Sequence, residues 1–243
     1  IKDRAVAGLL RFNPFFDIRK FSSLEKLEII KQREIVILNL ENSEESIFQN
    51  FSKDNRNKIK KAIKSNLILE KCRSLHDLRE FSKIYIKRMN ENKALDMYYF
   101  GDKYFEKISN LGSNFVENYI LKKDNEIIGG AIVLKNKNHA HYHLSSCKSE
   151  YFNLGPNNFM RYQVILDLKK QNLKVLNFGG GKTNNSSDTL LSFKKKFSSE
   201  TLWFYIGKYI FNDKIYKDIV LNWEKNNPDK KHSFKNYILK YRF

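Results

Sequence analysis

The sequence has little cysteine, proline, glycine and acidic residue, and these shortages exclude several classes of protein. Its two cysteines, Cys72 and Cys147, are far apart and form no ligand motif, so we predict a reduced, cytoplasmic setting. Three prolines and ten glycines, beside 41% hydrophobic residues, argue against a disordered chain. No apolar run is long enough to cross a bilayer, and no secretory signal is visible.

Positive charge, by contrast, is abundant. Lys and Arg number 45 against 27 Asp and Glu, which gives a formal net charge of +18. Such a charge attracts polyanions: RNA, a nucleotide-linked precursor or an anionic membrane face. A general bias of composition, with asparagine and isoleucine also frequent, is the simpler explanation. Charge alone therefore does not identify the partner.

The order of predicted elements indicates an α/β domain. A strand and two helices are followed by a three-strand antiparallel meander over residues 115–146, then a helix, a strand, a helix and a strand. This order predicts a mixed, mainly antiparallel sheet flanked by helices. The basic and aromatic tail, residues 230–243, is read as a last helix.

Residues 175–197 are the most informative stretch, because they predict a strand, a glycine turn and a short helix. Gly179, Gly180 and Gly181 let another group approach the main chain closely. Asp188, like Ser186 and Ser187 before it, is a suitable N-cap for a helix that starts near residue 189.

Helical geometry then separates three consecutive lysines. At about 100° per residue, Leu190, Phe193 and Phe197 form the packed side, and Lys194 points closer to it than Lys195 or Lys196. A cation beside freed backbone amides favours negative charge, whether phosphate, carboxylate or a developing oxyanion. The alternative is a lysine that caps the helix over a structural turn.

Other basic residues and a row of histidines are weaker signals. Arg11, which lies among aromatics, either holds an anion or pairs locally with a carboxylate. Arg56 belongs to a basic helix over residues 52–65, which is either a solvated face or a track for phosphates. His139, His141 and His143 alternate on one strand, but no acid or thiol completes a metal site at useful spacing, so no metal is expected.

The chain resembles the Fem family of peptidoglycan-bridge aminoacyltransferases and related GNAT-like acyltransferases. Four segments between residues 11 and 216 carry the resemblance, and their order is more specific than any of them alone. They are residues 56–62, Tyr-His-Leu-Ser at 142–145, Gly-Pro-Asn-Asn at 155–158, and Phe-Gly-Gly-Gly at 178–181 followed by Asp188 and Phe-Lys-Lys-Lys-Phe at 193–197.

The resemblance implies transfer of an acyl group, often an amino acid carried on tRNA, to a primary amine of a cell-wall or surface-glycan precursor. It places Lys194 at the acyl-transfer site. It also implies that residues 67–243 form a GNAT-like domain and that residues 1–66 are an extension or part of a first one. The Gln/Arg-x-x-Gly-x-Gly/Ala loop of CoA-using relatives is absent between His143 and Asn158, which counts against acetyl-CoA.

These considerations give a set of expectations about the site and its ligands. We expect the acyl donor to be aminoacyl-tRNA or acyl-CoA, with no tightly bound cofactor. We expect the acceptor to be a nucleotide-linked or lipid-linked glycan precursor. The protein is then cytoplasmic, and the inner face of the membrane is one place where it could act. The candidate residues are Lys194, Asp188, Tyr142 and His143 for catalysis, and Arg11, Arg56, Gly179, Gly180, Gly181, Phe193 and Asn157 for substrate binding.

Two other functional hypotheses stay open at this point. One is a basic RNA-binding module with an inactive acyltransferase fold, which predicts salt-sensitive RNA binding that does not depend on Lys194. The other is a scaffold protein of envelope assembly, which has no specific small-molecule pocket.

Overall fold

A computed structural model describes residues 5–21, 23–183, 185 and 187–243. The chain forms two compact units: a large unit, Ile35–Thr201, and a small unit made of the residues up to Glu34 together with Leu202–Phe243. The strands are β1 Ala7–Arg11, β2 Leu27–Asn39, β3 Ile68–Lys71, β4 Val116–Lys123, β5 Glu126–Lys135, β6 His139–Cys147, β7 Val175–Gly180 and β8 Thr201–Ile210. The α-helices are α1 Glu44–Asn50, α2 Lys53–Lys64, α3 Leu75–Glu91, α4 Asp102–Ser109, α5 Pro156–Lys170, α6 Thr189–Lys195 and α7 Asp213–Asn226. Short 3₁₀ helices cover Ile18–Phe21, Asp96–Tyr98, Ser149–Leu154 and Lys240–Arg242.

The sheet of the large unit is mixed and mainly antiparallel. Its strand order is β2-β7-β6-β5-β4-β3. Every neighbouring pair is antiparallel except β6 and β7, which are parallel and joined through α5. The expected α/β fold class and the three-strand meander, β4 to β6, are therefore confirmed.

Helices cover both faces of this sheet, because successive strand residues point to opposite sides. On one face, Ile59 of α2 and Met160 of α5 pack in the cluster that contains Tyr119 and Leu121 of β4. On the other face, Phe81 of α3 and Phe105 of α4 pack against Ile120. The large unit is thus a sheet between two helical layers.

The small unit contains β1 paired antiparallel to β8, from Ala7 opposite Ile210 to Arg11 opposite Ile206. Its helix α7 holds the tail through a hydrogen bond from the Trp223 Nε1 to the Phe243 carbonyl, 3.0 Å. The predicted final helix over residues 230–243 is wrong. That segment consists of turns and one 3₁₀ helix, because its aromatic rings, among them Phe234, fold back onto Trp223.

Two further observations concern the organisation of the chain. The predicted boundary at residue 66, between an N-terminal extension and a GNAT-like domain, stays a prediction.

In the part of the chain that the structure describes, no helix combines the length and apolarity needed to cross a membrane.

Candidate functional site

The candidate site lies where two parallel strands separate. β6 and β7 pair only through His139–Val175, Ala140–Leu176 and His141–Asn177. β6 then continues to Cys147 and β7 to Gly180 without further pairing between them. We call this opening between the strand ends the split. Backbone groups of both strands are thereby released from the ladder and face whatever enters.

An irregularity borders the split on each side. The register with β5 passes from Ile132–Leu144 to Val133–Tyr142, so His143 is the extra residue of a bulge in β6. The register between β2 and β7 likewise leaves Phe178 unmatched. Bulges bend a strand and re-aim its side chains, and they are frequent beside active sites.

The glycine turn follows the second bulge. Gly179 has φ +74°, and its N–H donates to Asn177 Oδ1 at 2.7 Å. Gly181 is buried, and a Cβ there would lie 2.5 Å from the Asp188 carboxylate. Only glycine therefore fits position 181 without a shift of its neighbours.

Asp188 is the N-cap of α6, as its sequence position predicted. Its Oδ1 accepts the backbone N–H groups of Leu190 and Leu191, both at 2.9 Å, and its Oδ2 accepts the Thr183 N–H at 2.8 Å. Burial alone would raise the pKa of this carboxyl, but the backbone N–H groups of Leu191 and Thr183 outweigh burial and lower the pKa to about 2. This bonding fits a capping role.

Helix α6 carries Lys194 back towards the glycine turn. The Nζ of Lys194 donates to the Gly180 carbonyl at 2.7 Å and lies 3.4 Å from the position that a Cβ on Gly179 would occupy. Lys195 is exposed, and Lys196 pairs with Asp54 at 2.9 Å. The expected inward direction of Lys194 is confirmed.

The buried leucine of α6 differs from the expectation. Leu191 is buried, whereas Leu190 is only partly buried. The reason is that α6 ends at Lys195. Phe197 therefore lies beyond the helix, and a 100° rotation per residue does not apply to it.

The sequence of this part of the chain matches a known family. Residues 49–194, more than half of the chain, match the acetyltransferase (GNAT) domain. The chain belongs to the GNAT acetyltransferase family. Because that match includes the split and Lys194, we refer to the protein as a GNAT acyltransferase below.

Solved structures share the fold of this GNAT acyltransferase at low identity. FemX is 15% identical with a TM-score of 0.72, over 88% of this chain and 74% of that one. The C-terminal domain of a putative lysylphosphatidylglycerol synthetase from Agrobacterium fabrum is 14% identical, TM-score 0.57, over 82% and 66%. L-PGS from Bacillus licheniformis is 13% identical, TM-score 0.57, over 78% and 64%. Among curated proteins, no relative is found.

One side of the split is lined by imidazole and phenol groups. The ring of His141 lies 5.9 Å from that of His143, and the Nε2 of His143 is 2.5 Å from the Tyr104 hydroxyl. Burial lowers the pKa of His143 and raises the pKa of Tyr104. At neutral pH the GNAT acyltransferase therefore holds a neutral imidazole here, the form that accepts a proton.

The other side of the split is lined by aromatic rings around an arginine. The guanidinium carbon of Arg161 in α5 lies 4.7 Å from the ring centroid of Tyr142 and 4.8 Å from that of Phe193. Burial raises the pKa of Tyr142 to about 12, so its hydroxyl stays protonated at neutral pH. The structure thus brings Tyr142, His143, Phe193, Lys194 and the glycine turn together.

Three further candidate residues have hydrogen-bond or ring partners within the protein. Arg56 donates from Nη1 to the Gln49 carbonyl at 2.7 Å and to the Phe51 carbonyl, which ties α2 to the end of α1. Arg11 belongs to the small unit, where its guanidinium lies 5.4 Å from the Phe204 ring centroid. Asn157, at the start of α5, accepts from Arg161 through its carbonyl at 3.1 Å. Substrate contacts of these three residues stay predictions.

Sequence reasoning missed Arg161, Tyr104 and the position of His141 at the split. The signal for Arg161 was present. It lies three and four residues before Val164 and Ile165, so the helical period places its charge on the apolar face of α5. No feature of the sequence near Tyr104 indicates a role at the site, because only the packing of α4 against β6 brings Tyr104 to His143.

Two cavities lie away from the split. One, of about 210 Å³, belongs to the large unit and is bordered by Lys71, Tyr119 and Asp167. The other, of about 340 Å³, belongs to the small unit and is bordered by Lys26 and Tyr216. Neither is lined by the glycine turn.

Proposed function

We propose that this GNAT acyltransferase moves an acyl or aminoacyl group onto a primary amine of a cell-wall or surface-glycan precursor. The observation that supports this most directly is the Lys194 ammonium, 2.7 Å from the Gly180 carbonyl at the end of β7. A positive charge at separated strand ends suits a reaction in which negative charge develops on oxygen. Family membership favours an enzyme over the RNA-binding and scaffold hypotheses.

In the proposed reaction a neutral amine attacks the carbonyl carbon of an ester or thioester. The carbonyl oxygen becomes negative in the tetrahedral intermediate, and the Lys194 ammonium and backbone dipoles of the turn at residues 179–181 stabilise it. When the intermediate collapses, the alcohol or thiol leaves and the amide remains. Loss of a well-placed stabilising group of this kind typically costs about 10²- to 10³-fold in turnover.

The proton of the attacking amine needs an acceptor, and His143 is the best placed. It is half-buried at the bulge and neutral at physiological pH because burial lowers its pKa. Tyr142 keeps its proton and is proposed to position the acyl group. The Asp188 carboxylate accepts the backbone N–H groups at the start of α6, so we propose that it positions Lys194 and does not act as a base.

For the donor, the packing around α5 favours an aminoacyl ester over acyl-CoA. A helix N-terminus binds phosphate only when its amides are accessible. Here a Cβ on Gly155, the residue before α5, would lie 2.8 Å from the Lys58 carbonyl of α2. Asn158 also donates to Asn55 of α2 at 2.5 Å. Helix α2 therefore covers the start of α5, and the exposed Lys60 and Lys61 suit an RNA backbone.

The acceptor in this proposal is a nucleotide-linked or lipid-linked precursor, and no tightly bound cofactor takes part. The resemblance to the Fem family implies a cell-wall amine. One structural neighbour is a putative lysylphosphatidylglycerol synthetase, a name that indicates a lipid product. We propose a cytoplasmic location, with contact to the anionic inner face of the membrane when the acceptor is lipid-linked.

The catalytic part of the proposal is tested with two lysine variants. Lys194→Ala should lower the turnover of acyl transfer to an amine acceptor about 10²-fold or more, because it removes the charge that faces the oxyanion. Lys195→Ala, on the exposed side of the same helix, should retain turnover. Equal effects of the two changes would remove Lys194 from the mechanism.

The donor is tested separately. Protection of charged tRNA from deacylation is expected, with a strong dependence on salt, and retention on a CoA resin is not. Retention on CoA without protection of charged tRNA would replace the aminoacyl donor by acyl-CoA and leave the role of Lys194 intact.

A further inference from the structure

Arg161 is a buried cation inside the large unit. Its side chain begins on the second turn of α5 and is 6% exposed. Arginine is rarely buried unless a carboxylate or another anion accompanies it, because removal of the guanidinium from water is costly. The surroundings of Arg161 are therefore informative.

No carboxylate accompanies this guanidinium within the part of the chain that the structure describes. Its Nη1 donates to the Asn157 carbonyl at 3.1 Å, and its Nη2 donates to the Ser145 hydroxyl at 3.4 Å. Its Nε is buried and has no hydrogen-bond partner. Neutral acceptors thus satisfy two of its five N–H groups, and no carboxylate among the described residues neutralises its charge.

Two aromatic rings lie close to the guanidinium of Arg161. Tyr142 and Phe193 lie 4.7 Å and 4.8 Å from the guanidinium carbon, within the range of cation–π contacts. The N–H donors of the guanidinium lie in its plane, where two of them match two oxygens of a carboxylate or a phosphate.

The guanidinium is also close to the split. Ser145 lies on the part of β6 that pairs with β5 but no longer with β7, and Phe193 directly precedes Lys194 on α6. Both are only partly buried, so the surface of the split lies directly beside Arg161.

We propose that Arg161 is an anion-binding residue that receives a carboxylate or phosphate group of a substrate beside the acyl-transfer centre. The unpartnered Nε and one further N–H donate to two oxygens of that group. This proposal depends on the proposed function only for the identity of the molecule that carries the anion. It deepens that function because it predicts a substrate with an oxyanion close to the reacting amine or ester.

The proposal has a stability signature that a structural arginine lacks. A buried charge without a counter-ion costs free energy in the folded state, and an apolar residue of similar length removes that cost. Arg161→Met should therefore leave the melting temperature unchanged or raise it in a chloride buffer. A structural arginine would instead lower the melting temperature when it is removed.

Anion binding is measured on the purified protein, without any acyl transfer. Thermal unfolding is compared in sodium chloride, sodium phosphate and sodium acetate at equal ionic strength. Phosphate or acetate should raise the melting temperature of the wild type above its value in chloride, because a ligand that binds the native state stabilises it. A shift with phosphate indicates a phosphate group, and a shift with acetate indicates a carboxylate.

Two variants decide where that anion binds. Arg161→Met should lose the shift, whereas Arg73→Met, at an exposed arginine before α3, should keep it. An unchanged shift in Arg161→Met, or no shift in the wild type with either anion, overturns the proposal. If Arg161→Met does not fold, the NMR resonance of the Arg161 Nε–H is followed in the wild type and is assigned by its loss in Arg161→Lys. Addition of the anion should shift this resonance. A resonance that does not shift overturns the proposal.

Steady-state kinetics then identify the substrate that carries the anion. Arg161→Lys keeps the charge but loses the planar fork, so the KM of that substrate should rise about ten- to a hundredfold. The KM of the other substrate should stay unchanged, and equal changes of both argue against a specific contact. These results are separable from the role of Lys194, because anion binding is measurable even if Lys194→Ala transfers normally.

Discussion

The carboxylate of Asp188 occupies the space that a side chain on Gly181 would need. An ideal Cβ on Gly181 lies 2.5 Å from both Cγ and Oδ1 of Asp188. The same carboxylate accepts the first N–H groups of α6. The carboxylate, which also accepts the Thr183 N–H, therefore joins the turn after β7 to the start of α6, and we expect the position of Lys194 to depend on it.

Gly181→Ala should accordingly destabilise the protein by about 1–3 kcal/mol, the usual cost of overpacking, and lower acyl transfer as α6 moves. Thermal unfolding and turnover measure the two effects. Gly101→Ala is the matched control, because no atom lies within 4 Å of its added Cβ and its φ is −77°. If the two substitutions cost the same, the contact between Gly181 and Asp188 is not what holds the turn.

Asp188 should make stability depend on pH in the acid range. Backbone hydrogen bonds outweigh burial and lower its pKa to about 2, whereas an unfolded aspartate has a pKa of about 3.9. The stabilisation is thus fully present above about pH 4 and is lost as pH falls towards 2. Chemical unfolding across this window should show a smaller loss for Asp188→Asn, which has no charge to titrate. An identical acid profile in that variant would contradict the assignment.

His143 should set the acid limb of the activity profile. Burial lowers its pKa below 6.5, and only the neutral ring accepts a proton, so kcat/KM should fall only at a pH below that value. His143→Gln should lower kcat/KM and remove this limb. His76→Gln, at an exposed position of α3, should retain it. An acid limb that persists in His143→Gln assigns the base to another group.

The buried amides of Asn55 and Asn158 should couple α2 to α5. Asn158 donates to Asn55 at 2.5 Å, and Asn55 donates to the Lys196 carbonyl at 2.9 Å. Each change to Ala leaves a buried polar group unsatisfied and should cost about 1–3 kcal/mol. A double-mutant cycle in chemical unfolding should give a coupling of about 0.5–3 kcal/mol. Asn57→Ala, at an exposed position of α2, is the control and should leave stability unchanged. If the effects of Asn55→Ala and Asn158→Ala are strictly additive, the two amides do not couple α2 to α5.

The sequence was sufficient for features that depend on nearest neighbours along the chain. The meander β4 to β6, the cap at Asp188 and the direction of Lys194 follow from two-residue and 3.6-residue periods and from local hydrogen bonding. The tail was misread for the same reason. Its residues suit a helix locally, but the rings fold back onto Trp223.

By itself, the sequence determined an α/β fold of the GNAT type and a lysine turned towards a glycine-opened strand end, because propensity, period and motif are local properties. Only the tertiary structure decided that β6 and β7 separate after His141, that Tyr104 reaches His143, and that Arg161 lies beside two rings with no carboxylate among the described residues. Those relationships join residues that are far apart in the chain, and they depend on which helix packs over which strand.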